Sequence, residues 1–580
     1  MDGGSGGPRP RERDPQSRLV AALAVALACF ALWRVRQGVD HGDGAHVVAQ
    51  AVRMARGATP FVDEMNAQAL GALLAVPFTW VWLQVVGLEG IVLASRVWYL
   101  ALAFSAGALC YRALRTGLRP LPALAGAVLA CTPTAYNLLV TSYNTVPGLA
   151  LAVATFAGWA ALTRPSGRWA AVGGLALALA VLSHPASLPA AAVLGLVLLV
   201  LARHRAGVVR GLLLGGGGLS LLVLVWVVAG PGLGALLETL SYTADYQAGR
   251  PHPLDRVQDT TGRLVRALVA PATWPAICLA ALAALPPLPD RARGAALALV
   301  PVAMALPALL SLPTEGQPVV GATSGTYAIL LCALLLLPVA LSARQEPVLR
   351  LLLLVAGPTA VVGLLTYAAT TSSSARWGAV VPPVVPLLGV LGVGVVLLCA
   401  RRGVAPGIAV ACLLLPLLGV QSLHAFRDPA PWVAHVRIPE GPNAGLRTTP
   451  GRAAEDCGFR TAAASWIAPG ESVLAYAGPA VYLYTDGPAA TNIVWLAGFG
   501  KANRTTVERL DEQGAWPDVV TVLASVARAW DEHAADDPLL RRLERDYGEP
   551  VPAGPFWVLR RDGTTTPPGG EPDLAACGLS

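Results

Sequence analysis

A short segment near the N-terminus concentrates side chains that can perform acid–base chemistry in an otherwise apolar chain. It runs from Val39 to Leu74, and its ionisable candidates are Asp40, His41, Asp43, His46, Asp63 and Glu64. A carboxylate held at a membrane boundary can accept a proton from a hydroxyl group that attacks a lipid-linked substrate. Asp43 is our first candidate for that base and Asp40 competes with it, while Asp63 or Glu64 could position the acceptor.

Asp43 also precedes a predicted helix, which offers a purely structural explanation for it. Between Ala45 and Arg56 the apolar residues recur at helical spacing, at Val47, Val48, Ala51, Val52 and Ala55. This pattern predicts an amphipathic helix lying along the membrane surface. Aspartate is a favoured N-cap residue, and the helix dipole favours a carboxylate there. Asp43 therefore either caps this helix or acts as a base.

The order His41, Asp43, His46 contains residue types that bind metal ions. Two histidines five residues apart do not share one face of a helix, and the spacing of zinc sites is absent. We therefore predict no metal site in this loop. Whether the protein needs a cofactor stays open, with a divalent metal as the alternative.

The composition indicates that a membrane holds this segment. Hydrophobic residues make up 55% of the 580 residues and charged residues only 13%, against roughly 25% in soluble domains. The net charge is +7, but the arginines lie in short clusters between apolar runs, which argues against nucleic acid as a partner. Lys501 is the only lysine, and we interpret this as the codon usage of a GC-rich, actinobacterial genome.

The apolar runs predict a polytopic α-helical membrane protein with about thirteen transmembrane helices. The predicted spans are 19–33, 91–110, 121–136, 146–163, 169–183, 186–202, 211–230, 268–288, 295–312, 323–342, 351–369, 379–400 and 404–421. The run from Ala67 to Val86 is also long enough to cross. A crossing there would place Arg112, Arg115 and Arg119 outside, against the positive-inside rule. We therefore predict a juxtamembrane or re-entrant segment at this point.

The same rule orients the chain in the plasma membrane, with a cytoplasmic N-terminus and an external C-terminal domain. The predicted divisions are a cytoplasmic tail (1–18), a multi-span domain (19–421) with a first external loop and juxtamembrane helices (34–90), an extracytoplasmic α/β domain (422–563) and a flexible tail (564–580). In the α/β domain we expect a helix at 453–467 and strands at 472–477, 518–524 and 556–560. An oxidising exterior would permit a disulfide between Cys457 and Cys577, which the sequence leaves open.

Several of these features together resemble the GT-C membrane glycosyltransferases. Asp43 stands before an amphipathic helix, Gly57-x-x-Pro60-x-x-Asp63 follows, and then come an apolar juxtamembrane segment and Arg96. The stretch SSSARWGAVVPPVVPLLGV from residue 372 is similar to the family's arginine–aromatic pair and proline-rich helix near the lipid-phosphate site. The layout is most similar to that of the protein O-mannosyltransferases and the lipid A aminoarabinose transferases.

The resemblance implies an inverting sugar transfer from a polyprenyl-phosphate donor to an acceptor at the cell envelope, which can be a glycan, lipid or protein. Arg376 would then bind the donor phosphate, because a planar guanidinium matches phosphate geometry; it could equally be an interfacial anchor beside Trp377. Many relatives have an Asp-Glu pair where this chain has Asp43-Gly44. The base is therefore Asp43 or Asp40.

Two further charged residues are candidates for substrate binding. Asp245 lies in an external stretch rich in acids and aromatics, which suits a sugar but also fits an ordinary solvated loop. Arg96 lies inside an apolar run, within reach of the outer interface by snorkelling. A transporter or lipid flippase would instead show charged groups at mid-membrane and repeated broken helices. A non-catalytic role in envelope assembly is the third interpretation.

Overall fold

The computed structural model is mainly helical up to residue 423 and mixes helices with strands from residue 436. It describes residues 15–135, 138–310, 334–338, 341, 346–370, 380–423, 436–498, 500–570 and 572–577. The apolar runs become helices because a helix satisfies its backbone polar groups internally, as lipid requires. The helices of this part are α1 (Pro15–Arg34), α2 (Asp43–Ala55), α3 (Val76–Val85), α4 (Ile91–Leu114), α5 (Pro120–Cys131), α6 (Val146–Thr163), α7 (Gly167–Ser183), α8 (Leu188–Leu201), α9 (Ala206–Ala229), α10 (Leu233–Ala248), α11 (Pro253–Val269), α12 (Trp274–Ala284), α13 (Asp290–Leu310), α14 (Pro347–Thr370), α15 (Val381–Arg401) and α16 (Pro406–Leu423).

Within the described residues, six helices are long and apolar enough to cross a membrane, namely α1, α4, α6, α9, α14 and α15. A bent pair, formed by α11 and α12, would make seven, and α5, α7, α8 and α16 are shorter apolar helices. The chain is therefore a polytopic membrane protein. The total of about thirteen crossings stays a prediction, since the expected span at 323–342 falls largely outside the described residues.

The structure departs from the predicted spans between residues 231 and 288. The stretch expected to be an external loop forms α10 and α11, and the span expected at 268–288 is interrupted by a 3-10 turn at Pro271–Thr273. The axis bends there by 63°, because Pro271 has no amide hydrogen with which to continue the helix. The polar residues Arg256, Asp259 and Arg263 lie on one face of α11, and their polarity alone suggested a loop.

The run from 67 to 86 contains only a 3-10 turn (Ala69–Ala72) and the 10-residue helix α3. At 1.5 Å per residue, α3 is about 15 Å long, which is roughly half the thickness of the hydrocarbon core. Its length agrees with the predicted juxtamembrane segment.

Arginine-bearing connections meet at one end of the helical bundle. The Oγ1 atoms of Thr116 and Thr163, 3.3 Å apart, join the connection after α4 to the connection after α6. Arg205, which precedes α9, donates a hydrogen bond to the carbonyl of Leu162. Each of these connections contains clustered arginines, so this end of the bundle is basic.

A second group of basic connections lies at the same end. Arg402 Nη1 donates to the Ala283 carbonyl at 3.1 Å, joining the end of α15 to the connection between α12 and α13. Helices α6 and α15 run in the same direction, because Gly148 and Pro382, near their two starts, are in contact. The gathering of arginines at one end supports the predicted orientation, in which this end is cytoplasmic.

The C-terminal region, residues 436–577, contains a short two-stranded sheet and a four-stranded sheet. Its strands are β1 (Val436–Arg437), β2 (Arg447–Thr448), β3 (Val473–Tyr476), β4 (Val519–Leu523), β5 (Val551–Pro552) and β6 (Phe556–Arg560). Its helices are α17 (Pro450–Trp466), α18 (Lys501–Gln513), α19 (Ala524–Ala527), α20 (Trp530–Asp536) and α21 (Pro538–Tyr547). The larger sheet has the order β3-β4-β6-β5, with β3 parallel to β4 and the other pairs antiparallel. The predicted helix and three strands are confirmed.

The end of the chain is attached to α17. Cys457 and Cys577 form a disulfide with an S–S distance of 1.99 Å, which confirms the pairing that the sequence left open. The Gly569 amide also donates to the Ser465 carbonyl at 2.9 Å. The described part of the segment expected to be a flexible tail is therefore held at two points.

Candidate functional site

The Asp40 carboxylate binds backbone amides at the start of helix α2, whose N-cap residue is Gly42. The two oxygens of Asp40 accept hydrogen bonds from the amides of Gly42, at 2.9 Å, and Gly44, at 2.5 Å. Asp40 is only 8% exposed, so its charge satisfies the amides at the start of the helix. Asp43 is the first residue of α2 and is partly exposed. The two aspartates that the sequence could not distinguish therefore occupy different environments.

Helix α2 is buried on nearly all sides, which corrects the expectation of a helix on the membrane surface. Most of its apolar residues belong to one cluster with Ile91 and Leu138 from the transmembrane part and with Phe459 and Val481 from the C-terminal region. The C-terminal region covers the face that was expected to meet water, a contact that local periodicity cannot reveal. A polar stripe, defined by Asp43, His46, Gln50 and Arg53, follows the helix at intervals of three and four residues.

Glu64 joins this polar stripe to the C-terminal region. Its side chain is fully buried and accepts from Gln50 Nε2 at 3.2 Å, Arg53 Nη1 at 3.2 Å and the Val494 amide at 3.0 Å. Arg53 also donates to the Thr491 carbonyl. Burial raises the pKa of Glu64 to about 7, against the opposing effects of Arg53 and these hydrogen bonds. These contacts suit a structural role better than contact with a substrate.

Asp63 and Arg96 both hold backbone segments of the first external loop. Asp63 Oδ2 accepts from the Thr59 amide at 2.6 Å and so closes a turn. Arg96 Nη1 donates to the carbonyls of Val35 and Gln37, both at 3.0 Å, from its position near the start of α4. Arg96 therefore fixes the point at which the chain leaves α1, at the end of the bundle opposite the basic connections.

His41 connects the loop to helix α17. Its Nε2 lies 3.4 Å from Asp456 Oδ1 and its Nδ1 lies 3.6 Å from Glu455 Oε2. Burial alone lowers the pKa of His41, but the two carboxylates raise it to about 9, so the imidazole is a cation at neutral pH. The same ion pairs lower the pKa of Glu455 to about 2, although its burial has the opposite effect. Asp456 also accepts from Asn443 Nδ2 at 2.7 Å and from the Tyr484 hydroxyl.

His46 lies within a row of aromatic rings that the sequence did not predict. We call this row the ring chain and define it by Trp495, His46, Tyr143, His184 and Tyr367. The centroid separations along it are 5.2, 6.1, 6.0 and 4.8 Å. Its members come from the C-terminal region, α2, the connection before α6, the connection between α7 and α8, and the last turn of α14. The ring chain therefore joins the C-terminal region to the ends of several membrane helices.

The polar contacts of His184 fix its place in the ring chain. Its Nδ1 accepts from the Ala186 amide at 3.2 Å, and its Nε2 lies 2.9 Å from the side-chain amide nitrogen of Gln68. The Tyr367 hydroxyl lies 2.8 Å from Ser187 Oγ. His184, Ser187 and Tyr367 therefore belong to one buried polar cluster.

Two predicted residues remain, and the structure describes only one of them, Asp245. Asp245 is on α10, one turn after the buried Tyr242, and α10 ends against α14, since Gln247 Nε2 donates to the Thr370 carbonyl at 3.4 Å. Arg376 lies outside the described residues, six positions after Thr370. Among the described residues, Asp245 has no hydrogen-bond or ion-pair partner.

Two further arginines lie near the end of α14. Arg256 Nη1 donates to Gln247 Oε1 at 3.1 Å, and its Nε donates to the Pro251 carbonyl at 2.8 Å. The Arg250 guanidinium lies 4.3 Å from the centroid of the Tyr246 ring. Arg250, on the connection between α10 and α11, and Arg256, at the start of α11, were not among the predicted site residues.

The structure separates the residues that could have formed a metal site in the first external loop. His41 pairs with two carboxylates of α17, whereas His46 enters the ring chain. In the part of the chain that the structure describes, no three histidine, cysteine or acidic side chains are grouped as metal ligands would be.

Comparison with known proteins gives no family for the chain. No protein-family model and no curated protein matches it. Among solved structures it is similar to ArnT from Cupriavidus metallidurans in the apo state, with 13% identity over 95% of this chain and 99% of that one and a TM-score of 0.40. A likeness of this degree assigns no activity, so the functional argument starts from the residues of the site.

Proposed function

We propose that this protein is a membrane glycosyltransferase that transfers a sugar from a polyprenyl-phosphate donor to an acceptor at the outer face of the plasma membrane. The observation that supports it most is the position of Asp43. This partly exposed carboxylate begins a buried helix whose next turn presents His46 to the ring chain. A base therefore stands beside a row of aromatic and polar groups that reaches the end of a membrane-spanning helix.

Asp43 suits the role of base better than Asp40. Both oxygens of Asp40 already accept backbone amides, and transferring a proton to Asp40 would weaken the helix cap. Asp43 is the first residue of α2, at the positive end of the helix dipole, where a carboxylate is favoured.

The reaction that fits this site is a single inverting displacement. The acceptor hydroxyl oxygen forms a bond to the anomeric carbon of the donor sugar and gives its proton to Asp43. The bond between that carbon and the phosphate oxygen breaks, and the lipid phosphate leaves with the electron pair. Cations must stabilise this leaving group. The candidates are Arg376 and, near the end of α14, Arg250 and Arg256.

The location of the charged candidates favours transfer over transport. Arg96, the charged residue within an apolar run, binds the carbonyls of Val35 and Gln37 where the first external loop begins. A transport path would place such groups near the middle of the membrane. The candidate catalytic and binding residues instead lie together at the end opposite the arginine-rich connections. This placement is expected of an enzyme that acts on lipid-linked substrates at the outer surface.

The pair Asp43→Asn and Asp40→Asn tests the proposal. Membranes that contain each variant are given a radiolabelled prenyl-phosphate sugar and an envelope fraction from a strain without the gene. We expect Asp43→Asn to lower transfer by a factor of about 100 to 10,000, the range for loss of a general base. Asp40→Asn should keep transfer within a few-fold of wild type, because asparagine also caps helices. Wild-type transfer by Asp43→Asn, at equal expression, would refute the assignment of the base.

A further inference from the structure

His46 contains a buried polar atom whose role neither folding nor the base chemistry explains. The side chain is 3% exposed, and its Nε2 has no hydrogen-bond partner among the described residues. Leaving such an atom unpaired is costly, and native structures rarely do so without a ligand or a water. Burial also lowers the pKa of His46 to about 3, so the ring is neutral at physiological pH. A neutral imidazole nitrogen can donate to or accept from a hydroxyl group.

The rings on either side of His46 come from different parts of the chain. The Trp495 ring lies 5.2 Å from the imidazole at an interplanar angle of 32°, and the Tyr143 ring lies 6.1 Å away at 57°. The neighbours of Trp495 are fixed, because the Val494 amide donates to Glu64 and the Leu496 carbonyl accepts from the Ala477 amide at 2.6 Å. The indole itself is partly exposed and has no hydrogen-bond partner among the described residues. The backbone on both sides of Trp495 is therefore held by hydrogen bonds, whereas its indole is held only by packing.

This combination matches the chemistry of a sugar ring. A sugar offers a face of C–H groups, which packs on an aromatic ring, and a rim of hydroxyls, which need hydrogen-bond partners. His46 is one helical turn from Asp43 and on the same face of α2, so a sugar beside His46 would hold a hydroxyl close to the base. The base acts on the acceptor and not on the donor.

We propose that Trp495, His46 and Tyr143 form the binding site for the acceptor, and that the acceptor is itself a carbohydrate. This rests on the proposed function and narrows its acceptor from glycan, lipid or protein to glycan. The Trp495 indole moves to admit the sugar, packs on its C–H face, and lets a hydroxyl bond to His46 Nε2. The C-terminal region thereby selects the acceptor, while the transmembrane part binds the lipid-linked donor.

Binding and transfer are measured separately on the full-length protein in detergent. Saturation-transfer NMR detects binding of short alkyl glycosides of hexoses and pentoses without donor. Transfer is then followed from a short-chain prenyl-phosphate sugar to the same glycosides and to a serine- and threonine-containing peptide. The variants are Trp495→Ala, Trp495→Phe and His46→Ala, and the control is Trp80→Ala, an exposed tryptophan of α3.

We expect the wild type to bind and use a glycoside but not the peptide. Trp495→Ala should raise the acceptor KM by about tenfold, the equivalent of one aromatic contact, leave the donor KM unchanged, and be partly rescued by Trp495→Phe. With the wild type, a deoxy-glycoside that lacks the hydroxyl facing His46 should be a poorer acceptor than the parent glycoside. With His46→Ala, the deoxy-glycoside and the parent glycoside should be equally good acceptors. A purely structural role would instead lower kcat for all substrates together and reduce the melting temperature.

The possible failures are distinct. Use of the peptide alone, or an unchanged acceptor KM in Trp495→Ala, would overturn the acceptor site and leave the proposed function standing. Glycoside binding that depends on Trp495 without any transfer by the wild type would overturn the proposed function and leave the sugar site standing.

Discussion

At the scale of single residues, the charge of His41 stabilises the contact between the first external loop and α17. The imidazole is buried between Glu455 and Asp456, and Arg452 Nη1 donates to Glu455 at 2.6 Å. Removing one partner of a buried, hydrogen-bonded pair leaves the other charge uncompensated, which is more costly than the pair itself is stabilising. The loop that presents Asp43 therefore depends on an ion pair only two residues away from it.

This ion pair makes stability depend on pH, and the sign follows from the two shifted groups. The pKa of His41 is raised to about 9, so its contribution is complete below its unfolded pKa of roughly 6.5 and is lost as pH rises through 9. The pKa of Glu455 is lowered to about 2, so its contribution is complete above roughly 4.5 and is lost as pH falls through 2. The contact is therefore strongest between about pH 4.5 and about pH 6.5.

We predict that His41→Gln flattens the alkaline side of the stability profile. Thermal unfolding in detergent between about pH 6 and about pH 10 should show a steady loss in the wild type, worth on the order of 3 kcal/mol. The His41→Gln variant should be less stable than the wild type at about pH 6, and its stability should fall much less between about pH 6 and about pH 10. The exposed His533 provides the control, since His533→Gln should keep the wild-type profile. An equally steep decline in His41→Gln would show that other groups determine the pH dependence.

At the scale of elements, helices α7 and α9 approach each other through glycines. A Cβ added to Gly215 would lie 2.0 Å from the Ala171 carbonyl oxygen, and one added to Gly211 would lie 2.3 Å from the Gly167 carbonyl oxygen. On the other helix, a Cβ at Gly174 would lie 2.1 Å from the Leu212 carbonyl oxygen. Small residues allow this close packing, which lipid-embedded helices use in place of the hydrophobic effect.

We predict that Gly215→Ala separates α7 from α9 and destabilises the protein, by about 1–3 kcal/mol if the helices can adjust and by more if they cannot. Gly217→Ala on the same helix is the matched control, because nothing lies within 4 Å of its added Cβ. The control should be neutral or stabilising by up to about 1 kcal/mol, since alanine favours helix over glycine. Melting temperatures of the two variants in detergent test this, and equal values would exclude a tight contact at Gly215.

The elements were predictable where the apolar pattern is local, and much less so where distant segments meet. Long runs such as 146–163 appear as helices at the predicted place. The burial of α2 was missed because the residues that cover it lie more than 400 positions later in the sequence. Arg53 and its partner Thr491, for example, are 438 residues apart. One signal for the ring chain was present. Tyr143, His184 and Tyr367 each lie near the predicted outer end of a span. A search for polar and aromatic residues at the outer ends of the spans would have predicted that these three lie close together.

At the scale of the whole molecule, the first external loop lies between the transmembrane helices and the C-terminal region. The Gly38 amide donates to the Arg447 carbonyl at 2.8 Å and the Met65 amide donates to the Asn492 carbonyl at 2.6 Å, so the C-terminal region binds both ends of the loop. The basic connections occupy the opposite end of the bundle. The two ends therefore have different chemistry and, by the predicted orientation, face different compartments.

Cysteine labelling tests this orientation. In a background whose free cysteines are replaced by serine, His204→Cys lies at the basic end and Glu508→Cys lies in the C-terminal region, and both positions are exposed. A membrane-impermeant maleimide added to intact cells should label Glu508→Cys at once and His204→Cys only after permeabilisation, because arginine-rich loops stay inside. Labelling of His204→Cys in intact cells would reverse the orientation and place Asp43 in the cytoplasm.

The contacts of Glu64 and Arg53 also set the order in which the surroundings of the first external loop can form. The ribosome delivers the first external loop early and Thr491 and Val494 late, so during most of synthesis Glu64 and Arg53 lack partners that they need in the finished protein. Only the last stretch of translation completes the loop's surroundings, and the disulfide of Cys577 closes after that. A chain that ended before Thr491 would lack the contacts of Arg53 and Glu64 with the C-terminal region, although Arg53 and Glu64 could still pair with each other. The complete surroundings of the loop therefore form only after the C-terminal region has been synthesised.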